Sequence, residues 1–230
     1  MVPCLFGVKC RLLAGALVNP LPSQPFQLSL PHMFTGIIEG RGKLLEREKN
    51  IFTFSHPFED VFEVGESVAL SGMCATVLTS TKKEFTVEII AESRRLTVYE
   101  DLEVGQEVNL ERSAQIGQRN SGHNVQGHVD EVGKIINIEK QRDYWCVRVE
   151  YSEQNKELVV HKGSISLDGI SLTISALSPL TASRSPLPWI EVSIIQHTWN
   201  ETNLHNKKVG DKIHIEFDVF GKYVQRQKEV

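Results

Sequence analysis

With 230 residues, 40% of them hydrophobic and 23% charged, the chain suits one large domain or two of about 100 residues, and its composition excludes extended disorder. Twenty-five basic against 29 acidic side chains give a formal net charge of −4, so the positive field that a phosphate backbone requires is absent and nucleic acid is excluded as a principal partner. Cys4, Cys10, Cys74 and Cys146 form no CxxC pair, and the nearest histidines, His123 and His128, have no third ligand at metal spacing, so free thiols and no metal are expected.

Residues 1–32 stand apart: they contain no Asp or Glu, are rich in proline, and hold the short apolar run Leu12 to Val18. That run is too short for a membrane span, which needs about 20 apolar residues. Three readings stay open for this extension: a cleaved presequence, with only Lys9 and Arg11 for charge, a disordered tail, or translated upstream sequence. The last is preferred, because the pattern that begins at Met33 is self-sufficient.

From Met33 onward the chain repeats itself. Met33-Phe-Thr-Gly-Ile-Ile-Glu39 lies over Asn124-Val-Gln-Gly-His-Val-Asp130, so that Gly36 meets Gly127, and the alignment continues through Gly42/Gly133 and Lys43/Lys134. A second block sets Ser71-Gly-Met-Cys-Ala-Thr-Val77 over Asp168-Gly-Ile-Ser-Leu-Thr-Ile174, with Cys74 opposite Ser171 and Thr76 opposite Thr173. In a third, Glu92-Ser93, Thr97 and Val104-Gly105 match His197-Thr198, Thr202 and Val209-Gly210, and each run ends in a strand that reaches Glu111 or Glu216. Three blocks in the same order point to a duplicated unit.

Within each repeat the local signal is β. Ser67 to Leu70, Phe85 to Ile90, Trp145 to Val149 and Lys212 to Phe217 are short, β-branched or aromatic, and partly alternating. Glycines in Glu63-Val-Gly-Glu, Glu103-Val-Gly-Gln and Lys208-Val-Gly-Asp sit where a tight reversal needs positive φ. Six or so strands per repeat suggest a closed barrel, since closure removes exposed edges. The fold expected is all-β: two tandem homologous six-stranded Greek-key β-barrels over residues 33–122 and 123–218. A proline-rich surface loop is expected from Ser178 to Pro188. Over residues 219–230, Val219, Phe220, Tyr223 and Val224 recur at helical spacing and predict a short C-terminal α-helix, packed either on its own barrel or against copies of itself.

The opening Met33-Phe-Thr-Gly-Ile-Ile-Glu39 resembles that of the riboflavin synthase family. So do Asn109 to Arg112, Gly122-His-Asn-Val-Gln-Gly-His-Val-Asp130 and Lys162 to Thr173, in the family's order, and the resemblance covers Met33 to about Arg226. It implies a homotrimer of two-barrel, lumazine-binding subunits with no metal or redox cofactor. The implied reaction takes two molecules of 6,7-dimethyl-8-ribityllumazine to riboflavin and 5-amino-6-(ribitylamino)uracil, the substrates meeting between the first barrel of one subunit and the second barrel of its neighbour. It also implies a cytoplasmic protein, with organellar targeting by residues 1–32 left open, and an association with lumazine synthase.

That chemistry needs a proton removed from an activated methyl group, a nucleophile to prime the acceptor ring, and two stacked heterocycles held in place. By motif position the resemblance assigns His128 as acid/base, with His123 ranked second. Cys74 either adds to the acceptor ring or contacts it, Ser171 is its counterpart, and Thr76 and Thr173 line equivalent pockets. Ser67, Asp168 and Asp218 orient groups or relay protons. Ring and ribityl contacts are expected from Gly36, Ile37, Ile38, Ala75, Ile90, Glu92 and Ser93, and in the second half from Gly127, Val129, Lys162, Leu172, Ile195, Gln196, His197 and Thr198. The first-barrel loop departs from the family's pattern, with Ser71 for Asn and Ala75 for Leu. The rival reading is a non-catalytic lumazine- or flavin-binding antenna protein of the same fold; a pair of generic barrels that bind single-stranded nucleic acid is disfavoured by the acidic balance.

Overall fold

The computed structural model describes residues 33–115, 117–178 and 187–228. The extension over 1–32, most of the expected loop from Ser178 to Pro188, and the last two residues of the expected helix lie outside the described residues. The first repeat forms β1 (Gly40–Glu48), β2 (Ile51–Ser55), β3 (Ser67–Leu70), β4 (Met73–Ser80), β5 (Glu84–Glu88) and β6 (Glu107–Arg112), closed in the order β1-β2-β5-β4-β3-β6. The second forms β7 (Glu131–Lys140), β8 (Tyr144–Glu150), β9 (Ser164–Leu167), β10 (Ile170–Leu177), β11 (Trp189–Ile195) and β12 (Lys212–Phe217), closed in the equivalent order. All pairings are antiparallel. The register slips at Leu44/Glu46 and Val77/Thr79 in one barrel and at Ile135/Asn137 and Ile174/Ala176 in the other. These are the same two places in each repeat, where a bulge adds the curvature that closes a small sheet.

Alternation along the strands fills each barrel with its own core. The first is rich in aromatics, among them Phe52, Phe54, Phe62, Phe85 and Tyr99, while the second is mostly aliphatic, with Ile165, Ile174, Val192, Ile213 and Ile215. Gly65, Gly105 and Gly210 stand at φ +90°, +92° and +100° in the turns their motifs predicted.

Two short helices were not expected. The run Phe85 to Ile90 leaves the sheet at Glu88 and continues as α1 (Ala91–Arg95), favoured by Glu92 in its first turn, Arg94 and Arg95 in its last, and a Glu92–Arg95 ion pair at 2.6 Å. Its counterpart α2 (Gln196–Glu201) is anchored by Trp199, whose ring stacks on Trp145 at 4.0 Å between centroids. The terminal helix α3 (Val219–Lys228) follows β12, with Lys222 paired to Asp130 at 2.7 Å.

The barrels meet through their two-residue hairpins. Ser71 and Gly72 take φ +41° and +83°, Asp168 and Gly169 +46° and +81°, the double left-handed geometry of a type I′ turn. The two tips touch: a Cβ on Gly72 would lie 2.7 Å from the Gly169 nitrogen, and one on Gly169 2.6 Å from the Gly72 nitrogen. Around them the contacts repeat with pseudo-twofold symmetry. Asn109 donates to the Asp168 carbonyl at 2.9 Å and accepts the Asn203 N–H at 2.7 Å. In the other direction His214 donates through Nδ1 to the Ser71 carbonyl at 2.7 Å and accepts the Val98 N–H through Nε2 at 2.9 Å. That pair of bonds requires a neutral ring, and burial does push the His214 pKa down.

Candidate active site

Two straps decide which site residues meet. Residues 33–38 lead into β1 and residues 124–129 into β7, and the straps pair through Phe34 and Val125, whose N–H groups donate to each other's carbonyls at 2.7 and 3.0 Å. Past this bridge each strap crosses onto the barrel of the other repeat. The Gly36 carbonyl accepts the Ser171 N–H at 2.8 Å, and the Gly127 carbonyl accepts the Cys74 N–H at 2.8 Å. Ile38 consequently packs on the second core and Val129 on the first. Only glycine permits the approach: a Cβ would fall 2.7 Å from that of Ser171 at Gly36 and 2.6 Å from that of Cys74 at Gly127, at φ +76° and +78°. Each site is thus one barrel's fourth strand covered by the other repeat's strap.

The first site gathers Cys74 and Thr76 on β4, Ser67 across the ladder on β3, and Gly127 with the exposed His128 on the strap. Burial, the larger cause, and the Glu216 charge push the Cys74 thiol pKa up, and the neighbouring Ser67 hydroxyl opposes them only in part. Cys74 is therefore protonated near neutrality and suited to contact or proton donation rather than to attack as a thiolate. Ala75 faces the barrel core and its backbone pairs with Val68 across the β3–β4 ladder. Extending the Val77–Val87 register brings Ile90 level with Cys74, and α1 carries Glu92 and Ser93 beside it.

The second site repeats the plan with different chemistry. Ser171 and the exposed Thr173 lie on β10, Leu172 turns into the core, and Gly36 and Ile37 come from the strap. The Ser171 Oγ lies 2.7 Å from His123 Nδ1, and the His123 N–H donates to the Thr35 carbonyl at 3.1 Å. Burial lowers the His123 pKa and the nearby Asp218 charge opposes it, so the ring stays neutral and can accept the Ser171 proton. Asp218 also accepts the Phe220 N–H at 3.0 Å. Ile195, Gln196, His197 and Thr198 occupy the end of β11 and the start of α2, equivalent to Ile90 through Ser93. Both isoleucines are left open, Ile90 58% and Ile195 61% exposed, an apolar pair at the same place in each site. Lys162 sits at φ +67° where the first barrel has Gly65; a lysine held in a left-handed turn is a strain of the kind that clusters at functional sites.

Asp168 lies elsewhere. It is 1% exposed at the hairpin seam, where its carboxylate accepts from Asn203 Nδ2 and the His214 N–H, both at 2.8 Å, and from Lys207 Nζ at 3.0 Å. Burial alone would raise its pKa, but Lys207 and the hydrogen bonds hold it below the usual range. Its environment is that of a joint between barrels, and His128 and Cys74 belong to a different surface. A cavity of about 730 Å³ opens beyond this joint, lined by Val98, Asn203, Lys207 and Lys212, and contains none of the expected site residues.

Three features were not anticipated from sequence. His123 was ranked behind His128, yet it holds Ser171. Glu111 and Glu216, identical by repeat and each closing its barrel's last strand, turn inward to the straps: Glu111 accepts the N–H groups of Thr35 at 2.6 Å and Gly36 at 3.0 Å, and Glu216 those of Gln126 at 2.6 Å and of Gly127 and His128 at 3.0 Å. Burial pushes both carboxyls up to about 7. Lastly, Ser166, the cross-strand neighbour of Ser171 and Glu216, buries a hydroxyl with no partner among the described residues, where the first barrel has Ala69.

The family model for the lumazine binding domain matches twice, over residues 35–113 and 126–218. The chain is 38% identical over 200 residues to the riboflavin synthase of Mycobacterium tuberculosis (strain ATCC 25618 / H37Rv), a match covering 84% of this chain and 97% of the relative. The riboflavin synthase of Bacillus subtilis (strain 168) is equally similar, at 38% with 84% and 89% covered, and that of Schizosaccharomyces pombe is 34% identical with 86% and 94% covered. Among solved structures, LumP complexed with 6,7-dimethyl-8-(1'-D-ribityl) lumazine shares the fold, with a TM-score of 0.66 at 22% identity over 80% of this chain and 99% of that one. Two lumazine-binding repeats and likeness to these enzymes over most of the chain lead to one conclusion: the chain belongs to the riboflavin synthase family.

Proposed function

We propose that the chain converts two molecules of 6,7-dimethyl-8-ribityllumazine into riboflavin and 5-amino-6-(ribitylamino)uracil by moving a four-carbon unit from one to the other. Substrates and products hold the same atoms, so the transfer needs no outside oxidant or reductant. The observation that carries this reading is a duplicated site whose chemistry has diverged, with Cys74, Ser67 and His128 in one copy and Ser171, His123 and Asp218 in the other. Two like molecules can then be handled unlike, one giving and one receiving. The open isoleucines supply ring contact, the glycine carbonyls of the straps run along the ring edge, and Glu92, Ser93, His197 and Thr198 offer hydrogen bonds to the ribityl chains.

Each site lies on the face of its own barrel with the Phe34–Val125 bridge between them, so stacking two ligands calls for the first site of one subunit to face the second site of another. A homotrimer meets that need, and helix α3 offers a surface for it, with Phe220, Tyr223 and Val224 exposed by 64, 67 and 57%. A cytoplasmic location and an association with lumazine synthase complete the reading and rest on family resemblance alone.

Incubating the full chain with ribityllumazine, without metal or reductant, tests the proposal: riboflavin should accumulate at one molecule per two consumed. Bound but unchanged ligand would instead favour the antenna reading, which draws on the fold shared with LumP.

A further inference from the structure

Glu111 and Glu216 belong to no part of the chemistry described so far, yet each is 3% exposed and spends its carboxylate on backbone N–H groups of a strap. We propose that Glu216 and Glu111 are the positioning residues of the two sites: Glu216 sets the strap that delivers His128 to Cys74, and Glu111 sets the strap that delivers Ile37 to Ser171. This deepens the proposed function and rests on it for its kinetic test.

The geometry is specific. Three consecutive N–H groups, from Gln126, Gly127 and His128, converge on the two oxygens of Glu216, an anion nest filled by the chain's own side chain. At Glu111 the N–H groups of Thr35 and Gly36 and the Thr35 hydroxyl, at 2.8 Å, do the same. A carboxylate accepts on both oxygens, whereas an amide turns a donor toward those N–H groups. Among the described residues no arginine or lysine bonds either carboxylate; the charges acting on them are Glu39 for Glu111, and Asp130 with its partner Lys222 for Glu216. Burying an acid on these terms is costly, and a barrel needs no such group to close. What the carboxylate does fix is the last peptide before His128, and with it the height of that side chain above β4. The same peptide stacks Gly127 on Cys74, so the strap also covers the thiol.

The test has two arms. In the first, Glu216→Gln should lower kcat about tenfold, as expected for loss of one charge-assisted bond, with KM changed less than about twofold. On a His128→Gln background the same substitution should cause no further loss, while Glu111→Gln on that background should act in full. In the second arm, which needs no turnover, site-resolved iodoacetamide labelling should show Cys74 modified about tenfold faster in Glu216→Asp, which keeps the charge that raises the thiol pKa but withdraws the carboxylate from the strap, with Cys146 unchanged and Glu111→Asp behaving as the unsubstituted chain. If Glu216→Gln fails to fold, Glu216→Asp is put through the first arm as well. Losses that multiply on the His128→Gln background, or a Cys74 labelling rate that does not move, would overturn the proposal. An unsubstituted chain that makes no riboflavin would sink the functional reading alone, leaving labelling to judge the positioning role.

Discussion

Replacing Asp168 with alanine separates a joint from a catalytic group. Its carboxylate is 2% exposed and holds Lys207, itself 18% exposed, at 3.0 Å, together with Asn203 Nδ2 and the His214 N–H. Truncation leaves a nearly buried ammonium and two donors without their acceptor, and removing one partner of a buried pair costs about 3–5 kcal/mol. The partial exposure of Lys207 argues for the lower end, about 3 kcal/mol, which corresponds to a Tm lower by roughly 6–12 °C in a chain of this size. Because Trp145, Trp189 and Trp199 all lie in the second repeat, tryptophan fluorescence follows that barrel alone, and its transition should part from the one seen by far-UV circular dichroism as the joint loosens. The folded fraction of Asp168→Ala, assayed at low temperature, should keep riboflavin formation within a few-fold of the unsubstituted rate. A variant with unchanged Tm and abolished turnover would refute the placement of Asp168 at the joint rather than at the reaction.

His128→Gln should reduce product formation far more than ribityllumazine affinity measured by fluorescence titration; equal activity would remove that histidine from the mechanism. Ser166→Ala should raise stability by about 1 kcal/mol in denaturant unfolding, since the hydroxyl is buried without a partner and Ala69 fills the same place in the first barrel; a loss of stability would mean the hydroxyl is bonded after all. For the strap carboxylates the pH dependence has a definite sign. Their folded pKa is pushed up from 4.5 to about 7, so their contribution to stability is complete below about 4.5 and is lost as pH rises through about 7. Between pH 5 and 8 the unsubstituted chain should lose stability relative to Glu111→Gln/Glu216→Gln, by an amount on the order of 3 kcal/mol per carboxylate; parallel curves would contradict the burial argument.

Much of the fold could be read from the repeat and the strand pattern. Ser67–Leu70 and Lys212–Phe217 are strands over the very residues expected, because β-branched alternation bounded by turn glycines leaves few alternatives. Helices α1 and α2 escaped notice: Ile89, Ile90 and Ile194, Ile195 extend an apolar run past the point where the chain bends, and in the second repeat it is the tertiary stacking of Trp199 on Trp145 that secures the turn. The alignment placed Gly127-His128 opposite Gly36-Ile37 but could not reveal that each pair crosses to the other barrel, since the crossing depends on the Phe34–Val125 bridge between segments 91 positions apart. His123 was ranked second to His128, and its bond to Ser171 could not be foreseen for the same reason. Glu111 and Glu216 were visible as acids at the same place in the last strand of each repeat, and that repetition was the one local sign of their role.

Structure determination with a non-reacting ribityllumazine analogue examines the exchanged straps most directly. Two bound molecules per chain are expected, one against Cys74, Ile90 and the Gly127-His128 strap, the other against Ser171, Ile195 and the Gly36-Ile37 strap. A single ligand, or ligands seated in the cleft beside Lys207 and Lys212, would contradict the account.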